Sequence, residues 1–145
     1  MLNNFIKIGE YKSLGENPEY EQFIGKNKSK VIPVVYLFVV EDEIKYIGES
    51  RRGYSRPLSY NKNKVMLKQR KAIETILKQG KTVEVYALEI ENETTVVNGM
   101  EIESYLAQDY EKALIKKYKP KWNGRTRNLT CITPKFFQAN IFNLL

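Results

Sequence analysis

The chain has no histidine among its 145 residues, and this absence removes several classes of active site. Without an imidazole, a Ser-His-Asp triad, a Cys-His pair and a histidine-ligated metal site are all excluded. The one cysteine, Cys131, can form neither an internal disulfide nor a cysteine-based zinc site, and we interpret it as a small buried residue. Cysteine usage of this kind favours a cytoplasmic location.

Long hydrophobic runs are absent as well. No stretch reaches the ~18 apolar residues that a membrane-spanning helix needs, so no membrane partner is expected. The N-terminal stretch, Met1-Leu2-Asn3-Asn4-Phe5, does not have the pattern of a signal peptide. The length suits one domain, and a hydrophobic content of 42% is enough for one core.

What the chain does have is an excess of positive charge. It carries 24 lysines and arginines against 17 aspartates and glutamates, which gives a net charge of +7. Such an excess suits a polyanionic partner, and nucleic acid is the first candidate. A basic protein without such a partner is the alternative that charge alone leaves open.

Three segments have the residue types of β-strands. Residues 32–40 are β-branched and aromatic, residues 44–48 return after a polar turn, and residues 82–90 alternate in polarity. The first two segments predict a hairpin. Residues 91–103 are rich in glutamate and are expected to form an acidic loop.

Two further segments have helical periodicity. The first runs from 64 to 79 and is expected to stop at Gly80, and the second runs from 104 to 118 and stops before Pro120. The resulting order, β-β-α-β-α, predicts an α+β fold with a small three-stranded antiparallel sheet flanked by helices.

The chain divides into three parts by composition. Residues 1–31 are polar and mixed, and are expected to form an N-terminal arm or a cap on the core. Residues 32–128 form the predicted core. Residues 129–145 are apolar and aromatic, and are expected to dock as a C-terminal extension on the core or on a second subunit.

The predicted hairpin brings two tyrosines together if its turn has the right length. With a three-residue turn at 41–43, position 36 faces position 48, and Tyr36 lies diagonal to Tyr46 on the same face. A turn one residue longer would place the two phenols on opposite faces. Ordinary cross-strand packing is the alternative interpretation of these tyrosines.

A single acidic residue stands on the core-facing side of the second helix. At 100° per residue, Glu111 is the only charge on an arc that also contains Ser104, Ala107, Tyr110, Leu114, Ile115 and Tyr118. A carboxylate in such surroundings is costly unless it is paired or bound to a metal. The residues alone leave both alternatives open.

Arg56 is the third element of a candidate site, because a guanidinium can hold two phosphate oxygens and stabilise transition-state charge. It stands close to Arg51 and Arg52 in the sequence. Each of the three, taken singly, is better explained as a backbone-phosphate contact or a solvated charge.

Together these residues resemble the GIY-YIG nuclease superfamily, and especially its stand-alone phage and restriction endonucleases. Four segments carry the resemblance, over roughly residues 33–123: Val34-Val35-Tyr36, Tyr46-Ile47-Gly48, Arg56-Pro57-Leu58-Ser59-Tyr60, and the stretch from Glu111 to Asn123. Their order and spacing are more specific than any one motif.

The resemblance implies a metal-dependent DNA endonuclease that hydrolyses phosphodiester bonds, either of restriction type or degrading host DNA. It implies that Glu111 binds Mg²⁺, with Mn²⁺ as a substitute, and that Tyr36 accepts the proton of the attacking water. Arg56 would stabilise the transition state, Tyr46 and Tyr60 would orient water and phosphate, and Asn123 would brace the site. In some relatives a lysine or arginine of the intervening helix also takes part in the site, and Lys68 and Arg70 are the candidates for this side chain.

Three departures from the family pattern concern geometry. Val34 occupies the position of the first motif's glycine. Pro57 disfavours helix at the residue before it, so a helix is expected to begin at Pro57 with Arg56 at its entrance. Glu49 replaces a lysine of some relatives, and is expected to point away from the scissile phosphate or to contact bases.

Double-stranded DNA is the partner that the resemblance implies. The residues expected to contact it are Arg51, Arg52, Lys62, Lys64, Lys68, Arg70, Lys121, Arg125 and Arg127. One such site cuts one strand, so double-strand cleavage would need a homodimer or homotetramer. A non-cutting nucleic-acid-binding module of the same fold, such as a repressor or accessory factor, is the alternative function.

Overall fold

A computed structural model describes residues 2–14, 17–22, 31–61 and 66–124. The strands are β1 (Ile6–Leu14), β2 (Asn17–Gln22), β3 (Val34–Val40), β4 (Glu43–Ser50), β5 (Val83–Glu89), β6 (Glu93–Val97) and β7 (Met100–Ser104). The α-helices are α1 (Leu67–Lys78) and α2 (Leu106–Tyr118). Short 3₁₀ turns cover Gly53–Ser55 and Lys121–Asn123.

The main sheet has five antiparallel strands in the order β2-β1-β5-β3-β4. The mixed fold with an antiparallel sheet and helices is confirmed, but the predicted number of three strands is wrong. The segment expected to form an N-terminal arm or cap supplies β1 and β2. The sequence pattern of this segment did not predict β1, because a bulge shifts the register between Lys7 and Gly9 and breaks the alternation of a regular strand.

Each face of the sheet is covered. On one face, α1 and the 50–61 segment enclose a core that includes Tyr11, Tyr36 and Phe38. On the other face, α2 packs on a second core that includes Leu37 and Leu114. Strand β3, which lies inside the sheet between β5 and β4, is buried at every position because both of its faces are covered.

The β3–β4 hairpin has the predicted pairing of Tyr36 with Gly48, but its turn is shorter than predicted and its second strand contains a bulge. The turn has two residues, Glu41 and Asp42, both with positive φ, instead of three. Lys45 is then bulged out of β4 between the pairs Val39–Ile44 and Phe38–Tyr46. The bulge restores the register that the shorter turn would have shifted, so Tyr36 and Tyr46 share a face.

Both helices end where their stop signals predict. Gly80, with φ +76°, follows α1 and donates its N–H to the carbonyl of Leu77, as in a Schellman motif. Lys119 takes a left-handed conformation after α2, directly before Pro120. Within the described residues α1 begins at 67 and α2 at 106, each a little later than predicted.

The segment expected to be an acidic loop is a second hairpin. Among the strands that the structure describes, β6 and β7 pair only with each other, around Asn98-Gly99, whose positive φ values fit a two-residue turn. Its strands are exposed apart from the half-buried Ser104 at its end, and its apolar side chains Val96, Val97, Met100 and Ile102 face solvent. None of the described helices is long and apolar enough to span a membrane. The core limits at 32 and 128 stay a prediction, and residues 129–145 lie outside the described part.

Candidate active site

Three tyrosines converge on one face of the sheet. The ring centroids of Tyr36, Tyr46 and Tyr60 lie 6.1–6.2 Å from one another. Phe38 packs edge-on against Tyr60, with centroids 4.9 Å apart. The hydroxyls of Tyr36 and Tyr60 form a hydrogen bond of 2.5 Å. Tyr36 and Tyr60 are buried, whereas Tyr46 is half-buried.

The environment keeps two of these phenols protonated. Burial raises the pKa of Tyr36 well above its ordinary value, and repulsion from Tyr60 and Tyr46 raises it further. Burial likewise raises the pKa of Tyr46, with added contributions from Tyr60 and Glu111. Tyr36 and Tyr46 are therefore neutral hydroxyls near neutral pH, each able to donate one hydrogen bond.

Arg56 is exposed beside this cluster. Burial lowers the pKa of its guanidinium, but the nearby phenols of Tyr36, Tyr60 and Tyr46 raise it, and the net shift is upward. The α-helix expected to begin at Pro57 is not formed: Arg56 follows the 3₁₀ turn Gly53–Ser55, and a turn leads on to Ser59. Proline disfavours helix at the preceding residue, and here the 3₁₀ turn ends at that point.

Glu111 approaches from the opposite layer. α2 packs against β3 and the edge strand β4, and the Glu111 carboxylate is close enough to influence Tyr46 electrostatically. Its pKa is raised to about 7 by burial and by repulsion from Glu49, although Arg56 and Lys112 act in the opposite direction. Within the described part of the chain, Glu111 forms no ion pair, so pairing does not account for its position.

Asn123 closes the edge of β4 next to the phenols. Its amide oxygen accepts the N–H of Ile47 at 2.9 Å, and its amide nitrogen donates to the carbonyl of the same residue at 2.7 Å. Ile47 stands between Tyr46 and Gly48, so this paired contact holds the strand at the centre of the second motif.

Gly48 has no room for a side chain. Tyr36 of β3 is paired with Gly48, and its phenol lies over the glycine. A Cβ at position 48 would overlap this phenol. The second motif therefore needs glycine for the phenol of the first motif to occupy its place.

Gly48→Ala is expected to destabilise the fold by roughly 1–3 kcal/mol and to slow cleavage, because Tyr36 must leave the cluster. The measurements are thermal unfolding and plasmid nicking. Gly80→Ala is the control: nothing lies near an added Cβ there, so only backbone strain of about 1 kcal/mol is expected. Wild-type cleavage by Gly48→Ala would show that the phenol's position is unimportant.

An open cleft of about 670 Å³ adjoins the cluster at Arg56. Its lining consists of Glu49, Ser50, Arg51, Arg52, Ser55, Arg56, Ser59 and Met66. Glu49 lies in this cleft instead of pointing away from it, and it accepts a hydrogen bond from the hydroxyl of Tyr105. The guanidinium of Arg51 stacks over the Tyr105 ring, 4.3 Å from its centroid.

The remaining predicted DNA contacts either do not line this cleft or lie outside the described residues. Lys68 packs against Gly124, where an added Cβ would lie 2.6 Å from its amine, next to Asn123. Arg70 pairs with Glu74 at 3.0 Å, and Lys121 lies 3.7 Å from Glu43. Four predicted contacts fall outside the described part: Lys62, Lys64, Arg125 and Arg127.

Two tyrosines of this region were not found from the sequence. Tyr105 holds Glu49, and Tyr11 of β1 forms hydrogen bonds with the 57–60 segment. Tyr105 directly precedes α2, and Tyr11 stands three residues after Ile8, across the bulge of β1. Neither belongs to a motif, and local patterning contains no signal for such long-range bonds.

This chain resembles known nucleases in sequence and in fold. No family profile matches the chain. Endonuclease II of Enterobacteria phage T4 is 32% identical over 127 residues, which cover 83% of this chain and 90% of the relative.

Two solved structures also match. A mutant of bacteriophage T4 EndoII superimposes with a TM-score of 0.68 at 25% identity, covering 84% of this chain and 93% of the other. A restriction endonuclease in complex with product DNA gives a TM-score of 0.46 at 24% identity over 88% of this chain and 82% of the other. With the phenols, arginine and acid gathered as described, the chain belongs to the GIY-YIG nucleases, the family that includes phage endonuclease II.

Proposed function

We propose that this protein hydrolyses phosphodiester bonds of double-stranded DNA with the help of a divalent cation, as a restriction-type or host-DNA-degrading endonuclease. Membership of the family makes it an endonuclease. The observation that carries the finer proposal is that Glu111 and Arg56 both influence Tyr46 of the edge strand β4 electrostatically, and also influence each other. An acid from one layer and a guanidinium from the other are therefore near the same phenol, which suits a phosphate and a cation together.

The donors present fit a cation such as Mg²⁺, with Mn²⁺ as a substitute. Glu111 is a hard carboxylate ligand that is half-buried and free of ion pairs within the described residues. Mg²⁺ is often held by one or two carboxylates together with water and substrate phosphate. The described part of the chain contains no group of three or more acidic or cysteine side chains that could hold a metal ion, so the proposal rests on Glu111. When bound, the cation would polarise the scissile phosphate and stabilise the leaving oxygen.

The phenols are proposed to orient the reacting groups. Tyr46 is the more accessible of the motif tyrosines, and its hydroxyl can hold an attacking water or a phosphate oxygen. Tyr36 and Tyr60 stand behind it and are joined to each other by their hydroxyls. The proton-accepting role expected for Tyr36 stays a proposal: burial raises the pKa of this phenol, so it would need the positive charge of a nearby cation to act as a base.

Arg56 is proposed to hold the scissile phosphate and to stabilise its extra negative charge in the transition state. The cleft that begins at Arg56 continues past Arg51 and Arg52, so the backbone of a bound strand can pass over all three guanidiniums. Such contacts make binding depend on salt and carry no sequence information by themselves. Asn123 is proposed to keep Tyr46 in register through Ile47.

Three further proposals concern setting and assembly. The C-terminal stretch proposed as a subunit interface lies outside the described residues, and a homodimer or homotetramer is proposed because one site cuts one strand. The exposed apolar side chains of β6 and β7 are compatible with a second subunit. A cytoplasmic location is proposed from the single cysteine.

Incubation with supercoiled plasmid tests the proposed function directly. Nicked and then linear DNA is expected with Mg²⁺ or Mn²⁺, and none after EDTA is added, because Glu111 alone supplies no electrophile. A gel-shift assay on the same DNA is run in parallel across a salt series. Salt-sensitive binding without cleavage under any divalent cation would favour the non-cutting module, and cleavage that persists in EDTA would reject the metal.

A further inference from the structure

Tyr11 lies in the interior although it comes from the segment expected to form an arm. Its side chain is fully buried, and it packs edge-on against Phe38 with ring centroids 5.9 Å apart. Phe38 in turn touches Tyr60. β1 is paired with β5, where Tyr11 stands opposite Val83, so the backbone of Tyr11 is fixed by the sheet.

The hydroxyl of Tyr11 bonds to both ends of one active-site turn. It donates to the carbonyl of Pro57 and accepts the N–H of Tyr60, the latter at 3.1 Å. Arg56 directly precedes this turn, and Tyr60 ends it. One buried hydroxyl thus connects the sheet to the segment that carries the guanidinium and the central phenol.

This turn has little regular structure of its own. Among the described residues, its backbone bonds are those of short turns, from Leu58 N to the Tyr54 carbonyl at 3.3 Å and from Ser59 N to the Arg56 carbonyl at 3.1 Å. Neither bond ties the turn to the sheet. A buried bond of the Tyr11 kind is therefore suited to define where the turn sits, because an unsatisfied buried amide or carbonyl is costly.

We propose that Tyr11 is a positioning residue of the nuclease site, which sets Arg56 and Tyr60 in register with Tyr36 and Tyr46 by holding the turn between them. It does not touch the substrate, and it acts through the Pro57 carbonyl and the Tyr60 amide. The inference rests on the proposed nuclease function. A displacement of about 1 Å of reacting groups can lower a rate by about 100-fold, so loss of one hydroxyl can have a large kinetic effect.

Tyr11→Phe tests this inference, because it removes the hydroxyl and keeps the ring. Single-turnover nicking is expected to fall between about 10-fold and about 100-fold, while KM and DNA affinity stay within about twofold, since binding groups remain. Thermal unfolding defines a temperature at which the variant is folded. Tyr86→Phe is the matched control, because the Tyr86 hydroxyl bonds to Glu84 on the other face of the sheet, and it should cut normally.

A double-mutant cycle with Arg56→Ala separates positioning from general destabilisation. If Tyr11 acts through the 56–60 turn, Tyr11→Phe should slow Arg56→Ala much less than it slows the wild type. The inference would be overturned if the double variant were slowed by the product of the two single rate reductions. A wild-type rate for Tyr11→Phe would overturn it as well. If the wild-type chain itself does not cut, the proposed function fails instead.

A second replacement covers the case in which Tyr11→Phe does not fold. 4-Aminophenylalanine at position 11 keeps the ring and an N–H donor toward the Pro57 carbonyl, but it is a weak acceptor for the Tyr60 amide. This folded variant is expected to cut more slowly than wild type, with unchanged KM and the same non-additivity with Arg56→Ala. A wild-type rate for it would reject the positioning role.

Discussion

Glu111→Ala is expected to abolish DNA cleavage and to leave DNA binding almost unchanged. A bound cation contributes several kcal/mol of transition-state stabilisation, and at ~1.4 kcal/mol per tenfold its loss lowers the rate by about 10³-fold. Binding should persist because it comes from the arginines of the adjoining cleft, which Glu111 does not line. Single-turnover nicking and a salt-controlled gel-shift assay measure the two quantities separately.

Glu111→Gln sharpens this prediction, because it keeps the side-chain volume and removes the charge. Burial and Glu49 raise the pKa of Glu111 to about 7, so the ionised carboxylate destabilises the fold above the ordinary carboxyl pKa, and this effect is relieved as the group protonates. The variant is therefore expected to melt no lower than wild type at pH 8, while cutting as poorly as Glu111→Ala. If Glu111→Gln lost activity because it unfolds, its melting temperature at pH 8 would instead lie below that of the wild type.

Asp109→Ala is the control for Glu111 on the same helix, since Asp109 is exposed. It should cut and bind like wild type. Cleavage by Glu111→Ala at the wild-type rate in Mg²⁺ would reject Glu111 as the metal ligand and would leave the role of the carboxylate open to Glu49.

Arg56→Ala is the second variant with a large expected effect. Burial raises the pKa of Tyr36 and of Tyr46, so these two hydroxyls are neutral and the guanidinium of Arg56 is the charge that can meet a phosphate beside them. Removing one such electrostatic group typically costs about 10²-fold to 10³-fold in the chemical step. The rate of single-turnover nicking should fall by this factor, and KM should change much less, because the charge of the phosphate increases only in the transition state.

Two further variants serve as controls for Arg56→Ala: Arg56→Lys keeps the charge at the site, and Lys78→Ala removes a charge elsewhere. Lysine keeps the charge but cannot make the two parallel hydrogen bonds of a guanidinium, so it should recover only part of the lost rate. Lys78→Ala removes one positive charge from an exposed site at the end of α1 and should leave nicking unchanged. A raised KM with an unchanged kcat in Arg56→Ala would instead assign Arg56 to DNA binding alone.

The motif residues could be placed from sequence because each stands at a position that short-range rules define. The hairpin pairing brought Tyr36 diagonal to Tyr46, and the helical wheel put Glu111 on the inner arc of α2. The Asn98-Gly99 turn of the second hairpin was also visible in the sequence, but the glutamates around it favoured a loop.

What the sequence did not reveal depends on long-range contacts. β1 lies at the side of β5, more than seventy residues away in the chain, and its bulge disguises its alternation. The Tyr105–Glu49 bond and the Tyr11 bonds join distant segments, so periodicity contains no trace of them. The helix predicted to begin at Pro57 is not formed. Proline is common in the first turn of a helix, but it fits a short turn equally well, so it could not distinguish the two.

The bulged Lys45 has no partner in β3, so the face on which Tyr46 lies does not depend on its presence. Ile44 pairs with Val39 and Tyr46 pairs with Phe38, which are neighbouring positions of β3. Deletion of Lys45 would therefore make β4 regular and leave Tyr46 opposite Phe38. A strand that kept Lys45 but paired it with Phe38 would instead place Tyr46 opposite Leu37, on the α2 side, because neighbouring residues of a strand face opposite sides.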